Sequence, residues 1–241
     1  MKTRFYERTA YRLSDGNVPA CFVELDEHFD KALGMLMPRG AATHVMVLAA
    51  ESICARMAEV EMYAFLIEDA RRRHRMDAEG DLKAAVLTRA FFVGYLGAAR
   101  ALLDACANAL ALVHELGLGR DDRTFLSPFF WQVLVEHAPT VHRRYHTMRI
   151  FFNDIFRWCA ETTDRVAPLE LVYVTFGQFS TRDSHMKVLD EAVADMNTLA
   201  YSNRTYNWTD PLELHDRWKQ NFLQLCERLC SEIEQATPIR E

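Results

Sequence analysis

Three polar side chains interrupt the most apolar stretch of the chain, residues 90–113. Arg100, Asp104 and Asn108 are four residues apart, so a helix places them in one row along its side. The remaining residues are apolar on every side, which indicates a helix enclosed by others. A carboxylate beside a guanidinium and an amide is suited to acid–base chemistry. Two hypotheses follow: the row lines the floor of a site, or it is satisfied internally and fixes the register of neighbouring helices.

A second polar row has the same spacing and comprises Arg149, Asn153 and Arg157, with Asp154 adjacent. The two rows carry complementary charges, which favours two helices that face each other. We therefore expect Asp104 to pair with Arg149 or Arg157. We also expect Arg100 to pair with Asp154. If chemistry occurs where the rows meet, Arg149, Asp154 and Arg157 are the candidate catalytic residues.

Two histidines are spaced for metal binding. His142 and His146 form an H-x-x-x-H pattern, which puts both imidazoles on one helix face and suits zinc, copper or nickel. The zinc-protease pattern H-E-x-x-H and the di-iron pattern E-x-x-H are absent. The other interpretation is a solvated basic face, since arginines lie between the histidines. With no acidic third ligand, the sequence predicts no cofactor and leaves these two as the candidate metal ligands.

Two arginine clusters are candidate binding residues: Arg71, Arg72 and Arg73 in one, Arg143 and Arg144 in the other. Guanidinium groups bind phosphate in a bidentate manner, so RNA or a nucleotide is the candidate partner if the two helix ends lie side by side. The alternative is that these arginines cap helix ends and are simply solvated. Motifs for a nucleophilic serine, a phosphate loop or a dinucleotide site are absent.

Composition indicates a soluble protein. The chain has 241 residues, half of them hydrophobic, and a formal charge of −6, which argues against RNA binding driven by global charge. The N-terminal residues lack the apolar core of a secretory signal, and the six cysteines form no C-x-x-C pair. We expect a cytoplasmic protein with reduced thiols.

The apolar stretch is long enough to cross a membrane. Arg100 and Asp104 lie near its middle, however, where each charge costs about 2.5–3.5 kcal/mol to insert. Because that pair has no visible purpose in lipid, we expect no membrane association.

Hydrophobic periodicity predicts an all-α fold, a single helical-bundle domain over residues 1–241. Two long antiparallel helices form its basis. The predicted helices span 22–37, 43–74, 79–116, 139–162 and 211–235, and residues 125–136 are predicted to form a short aromatic helix or turn. Small residues such as Gly94 and Gly97 allow close approach to neighbouring helices. A short strand is predicted at 168–176, with either 185–189 or 9–13 as its partner. Residues 1–20 are expected to be irregular, and 186–199 is ambiguous with helix preferred.

Two segments resemble HEPN-like helical-bundle proteins over the central third of the chain. The run FFVGYLGAARALLDACANALALV resembles their long core helix, with its R-x-x-L-D pattern at Arg100, Leu103 and Asp104. The run FFNDIFRWCAETTDRVAP resembles their later helix, which carries R-x(4–6)-H in active ribonucleases that work as homodimers. Only Arg157 matches that motif, because Asp164 stands where the histidine is expected. The resemblance implies a bundle that self-associates and argues against an intact ribonuclease site.

Three functions remain in consideration. The leading hypothesis is a non-catalytic binding protein whose partner is itself, another protein, or RNA or a nucleotide. The alternatives are a divergent, metal-independent ribonuclease and a bundle that binds a small ligand or metal.

Overall fold

The structure is a computed structural model that describes residues 19–34, 41–73, 78–160, 172–173, 187–189 and 208–236. Within these residues it is an all-α bundle, as predicted. Its helices are α1 (Ala20–Gly34), α2 (Ala41–Arg73), α3 (Ala78–Val113), α4 (Pro128–His137), α5 (Pro139–His146), α6 (Arg149–Cys159) and α7 (Pro211–Ala236). The predictions for 1–18 and 190–199 lie outside the described residues.

Helix α3 lies at the centre of the bundle and contacts α2, α6 and α7. Only four residues separate α2 from α3, and the two helices pack along their lengths, so they form the predicted antiparallel pair. Leu96, Leu102 and Leu103 are fully buried. Helix α3 ends in a turn in which Glu115 adopts a left-handed backbone with a φ of 49°, and the Leu116 N–H donates to the Ala111 carbonyl at 3.0 Å.

One of the predicted helices is divided into two in the structure. The apolar spacing predicts a single helix over 139–162, but α5 ends at His146 and α6 begins at Arg149. The Thr147 hydroxyl donates to the Arg144 carbonyl at 2.8 Å, and the Met148 N–H donates to the Tyr145 carbonyl at 2.9 Å. These bonds close a tight turn in place of a further helical turn. Tyr145 and Phe152, which lie on either side of the break, are both fully buried.

Three short strands form an antiparallel sheet in the order β1 (Val172–Tyr173), β2 (Lys187–Leu189) and β3 (Trp208–Thr209). Strand β1 lies inside the predicted strand and pairs with β2, with Val172 opposite Val188. Of the two partner segments considered, 185–189 therefore contains the pairing strand, and the helix preferred for 186–199 is wrong at residues 187–189. The other, 9–13, lies outside the described residues.

A buried ion pair joins the end of α2 to the start of α7. The Arg71 guanidinium donates to both carboxylate oxygens of Asp210, at 2.9 and 2.8 Å. The same carboxylate accepts the Leu212 N–H at 2.8 Å, which satisfies one of the free donors at the first turn of α7. One carboxylate therefore caps α7 and anchors it to α2.

Among the described residues, one segment is long and apolar enough to cross a membrane, Val86–Val113 in α3. More than half of its most apolar part is buried inside the bundle, which is typical of the core helix of a soluble protein. The absence of membrane association stays a prediction.

The packing of α2 on α3 can be tested at two glycines. A Cβ at Gly94 would overlap the Tyr63 ring, whereas one at the exposed Gly97 would meet no atom within 4 Å. Gly97→Ala is expected to raise the free energy of unfolding by about 0.5–1 kcal/mol, because alanine favours the helix. Gly94→Ala is expected to forfeit that gain or to destabilise the fold. Urea denaturation measures both, and an equal gain at Gly94 would contradict the close contact.

Candidate functional site

The polar row of α3 contacts the connection between α3 and α4. Asp104 accepts a hydrogen bond from the Thr124 hydroxyl at 2.7 Å, and Asn108 accepts one from the Arg123 guanidinium at 3.2 Å. Arg123 also donates to the Leu118 carbonyl at 2.9 Å. The row is half-buried, because Arg100, Asp104 and Asn108 continue the least buried stripe of α3. Asp104 and Asn108 therefore anchor a loop. The prediction that the row pairs with a second core helix is wrong for these two residues.

The second polar row lies on the outer side of α6. Arg149, Asn153 and Arg157 are exposed, while Phe152 and Ile155 on the opposite side are fully buried. Within the described residues, Asp104 is therefore paired with the loop, and the predicted pairs with Arg149 or Arg157 are wrong. The apolar stripe of α6 takes the inward position because burying it is worth more than an ion pair that must be desolvated.

Asp154 is likewise held away from α3. One of its carboxylate oxygens lies 3.0 Å from the Arg157 guanidinium, and the other accepts the Trp218 indole N–H at 2.9 Å. The predicted pair of Arg100 and Asp154 is therefore not formed between these described residues. Of the three candidate catalytic residues, Asp154 and Arg157 contact each other. Arg149 instead contacts Trp131 and His146.

The loop anchored by Asp104 and Asn108 inserts the Phe125 side chain into the core. Phe125 is buried and stacks on Phe152 with ring centroids 4.3 Å apart. It also stacks on Trp131 and Tyr145, at 5.7 and 6.5 Å. The Trp131 indole N–H donates to the Phe125 carbonyl at 2.8 Å, which fixes the plane of the indole. Helices α4, α5 and α6 thus share one aromatic cluster around Phe125.

Two histidines and an arginine cover the outer edge of that cluster. His142 and His146 contact Trp131 edge-on, with centroids 5.9 and 6.2 Å away, and the Arg149 guanidinium lies 5.6 Å from the same ring. Arg149 also lies 3.5 Å from the His146 Nε2. Partial burial, followed by the nearby His146 and Arg149, lowers the pKa of His142 below its usual value.

The two histidines are neighbours, as the sequence predicts, with ring centroids 5.0 Å apart. Within the described ranges, no three potential metal ligands come together. His142 and His146 therefore offer two ligands, fewer than the three or four protein ligands of ordinary zinc sites.

The predicted arginine clusters do not form one patch. In the first, Arg71 is buried against Asp210, Arg72 pairs with Glu68, and Arg73 pairs with Asp69. In the second, Arg144 pairs with Glu232 at 2.9 Å, while Arg143 is exposed. Asp210 and Glu232 lie near opposite ends of α7, roughly 33 Å apart at about 1.5 Å per residue. The first cluster is thus committed to structural ion pairs, and the second lies at the far end of the bundle.

A cleft of about 600 Å³ runs between α6 and α7. We call it the α6–α7 cleft and define it by six of its lining residues: Ile150, Asn153, Asp154, Arg157, Arg217 and Trp218. The bond from Trp218 to Asp154 ties its two walls together. The candidate residues Asp154 and Arg157 therefore lie in an open cleft, with both oxygens of Asp154 already engaged.

A buried polar network between α2, α3 and α7 was missed in the sequence. The Glu61 carboxylate lies 3.6 Å from the His215 Nε2 and 3.3 Å from the Lys219 amine, and the Tyr95 hydroxyl lies 3.2 Å from the His215 Nδ1. Burial lowers the pKa of His215 and raises that of Tyr95 well above its usual range. Glu61 and Tyr95 are 2% and 1% exposed, so this network holds three helices together rather than meeting a ligand.

A second buried carboxylate lies further along α7. Glu232 is 4% exposed, and its carboxylate lies 2.9 Å from the Arg144 guanidinium and 3.2 Å from the His114 Nε2. A sequence signal existed for both carboxylates, because Glu61 and Glu232 stand within otherwise apolar stripes of their helices. A polar residue at such a position predicts a buried partner on another element.

Comparisons of this chain with protein-family models, with curated proteins and with solved structures gave no match. The resemblance to HEPN-like proteins therefore stays a prediction, and function has to be argued from the surfaces described above.

The role of the α3 row can be tested by a double-mutant cycle on Asp104→Ala and Thr124→Val. We expect a coupling energy of about 1 kcal/mol, because the pair is a charge-assisted hydrogen bond that is only partly buried. Urea denaturation of the four proteins provides the value. The matched cycle of Asp104→Ala with Arg157→Ala is expected to give coupling near zero. Coupling confined to the second cycle would overturn the loop-anchoring role.

Proposed function

We propose that this chain is a non-catalytic RNA-binding protein of the cytoplasm. Its binding surface is the outer side of α5 and the start of α6. We call this surface the basic face and define it by His142, Arg143, His146 and Arg149.

Local charge is the observation that carries the proposal. Residues 138–160 contain four arginines and two histidines but one acidic residue, in a chain of net charge −6. Arg144 and Arg157 are engaged by carboxylates. Arg143 and Arg149 are exposed and have no carboxylate partner in the described part of the chain. Exposed guanidiniums that no carboxylate neutralises are suited to binding phosphates, and the acidic remainder of the molecule disfavours a polyanion elsewhere.

The aromatic cluster beneath the face supports the same proposal. Trp131 is fixed by Phe125, and it positions two imidazole rings and one guanidinium at the surface. Imidazole and guanidinium planes can stack on unpaired bases, which favours single-stranded RNA over a duplex. Because these groups rest on packed rings, little conformational entropy is lost when RNA binds.

An enzymatic role has less support. Catalysis by Arg149, Asp154 and Arg157 needs a free acid or base, and both carboxylate oxygens of Asp154 accept hydrogen bonds or ion pairs. The six cysteines are free and buried, which fits a reducing compartment and offers no exposed nucleophile. The self-association implied by the HEPN-like resemblance stays a prediction.

The proposal is tested by fluorescence anisotropy of a labelled single-stranded RNA over a range of salt concentrations. The variant Arg143→Gln/Arg149→Gln is expected to bind more weakly. Its plot of log affinity against log salt should be shallower by about 1.4, at about 0.7 for each lost phosphate contact. The matched control is Arg72→Gln/Arg73→Gln, which removes the same charge from two exposed arginines that are already ion-paired.

Equal losses in the two variants would contradict the proposal, because binding would then follow net charge and not the basic face. Absence of binding by the unaltered protein at physiological salt would also contradict it. The same samples, run on a denaturing gel, address the alternative. RNA cleavage that disappears in Arg157→Ala would favour the ribonuclease over the binding protein.

A further inference from the structure

The α6–α7 cleft differs in chemistry from the basic face. Ile150 projects from its rim with 84% of its surface exposed, the largest exposure of any large apolar side chain in the described residues. Met148 and Phe151 line the floor beneath it. An aliphatic side chain exposed at the mouth of a cleft is unfavourable in water unless something covers it. The cleft therefore presents an apolar anchor point.

Cations flank this anchor point on both walls. Arg157 on α6 and Arg217 on α7 both line the cleft. They lie next to the bridge that joins the walls, since Arg157 contacts Asp154, and Arg217 precedes Trp218. Arg217 is exposed and has no carboxylate partner among the described residues. With Asp154 included, the lining carries two positive charges and one negative charge, and the negative one is already satisfied.

We propose that the α6–α7 cleft docks a short amphipathic helix of a partner protein, with aliphatic residues on one face and acidic residues beside them. A groove between two helices is a usual receptor for such a helix. Its aliphatic residues cover the exposed Ile150 side chain, and its carboxylates meet Arg157 and Arg217. The amides of Asn153 and Asn221, which also line the cleft, provide polar contacts at the edges.

Nucleic acid fits this cleft less well than a peptide. Bases bind single-stranded sites by stacking on exposed rings, but Trp218 and Phe151 are only 2% and 7% exposed. What the cleft exposes instead is an aliphatic side chain, together with the Asp154 carboxylate. The volume of about 600 Å³ lies within the range of roughly 300–1,000 Å³ typical of ligand clefts. The cleft accordingly favours apolar anchors over a phosphate backbone.

The test is a selection of a displayed peptide library on the full chain, with depletion on a cleft variant, Ile150→Asp/Arg217→Glu. Both positions are exposed, so the variant is expected to fold, which its thermal midpoint checks. The selected peptides should combine acidic residues with aliphatic residues three or four apart. Arg217→Glu alone should weaken them roughly tenfold or more. The matched control is Arg143→Glu, which makes the same charge change outside the cleft and should leave peptide affinity unchanged.

Charge reversal in the peptide should compensate for charge reversal in the cleft. A peptide whose acidic residues are replaced by lysine should therefore regain affinity for Arg217→Glu. Selected peptides that bind the cleft variant as well as the unaltered chain, or an empty selection, would overturn the inference. A loss of RNA affinity in the cleft variant equal to that of the basic-face variant would also overturn it, because the cleft would then belong to the RNA surface. The RNA proposal is measured separately and can stand or fall without the cleft.

Discussion

The burial of α3 is the constraint on which the rest of the structure depends. A helix that is apolar on nearly every side cannot be covered by one neighbour, so α2, α6 and α7 all pack against it. Each of them turns its own apolar stripe inward and leaves its polar side to solvent. The outward position of the row at Arg149, Asn153 and Arg157 follows from that arrangement.

The single half-buried flank of α3 connects this core to the proposed binding surface. Asp104 and Asn108 hold the loop that carries Phe125, and Phe125 in turn packs against Trp131 beneath the basic face. Asp104 and Asn108 therefore position the loop. Their effect on the binding surface is indirect, because the loop fixes the rings on which the surface histidines and Arg149 rest. Buried polar groups that specify one arrangement of the chain are a known use of such interactions.

Much of the fold could be predicted from sequence, because long apolar periodicity reports which residues must be buried. Five predicted helices lie within a few residues of α1, α2, α3, α4 and α7. The break at residues 147–148 could not be predicted, since it depends on local hydrogen bonds of Thr147 and Met148 that leave the apolar spacing intact.

The candidate site was harder to predict than the fold, because it depends on which side of each helix faces inward. Complementary spacing in two helices says nothing about whether the two rows face each other. The stripe at Phe152 and Ile155 decides that α6 turns its arginines outward. Likewise, the arginines at residues 71–73 look free in sequence, but their carboxylate partners come from Glu68 and Asp69 one turn earlier and from Asp210 far along the chain.

We propose that RNA binds the outward-facing basic face. Ultraviolet crosslinking of the full chain to a 4-thiouridine-containing single-stranded RNA, followed by mass spectrometry of the crosslinked peptides, tests this most directly. If RNA binds the basic face, we expect crosslinks within residues 142–149 and none at Arg72 or Arg73. Crosslinks confined to the end of α2, or spread evenly over the exposed surface, would contradict it.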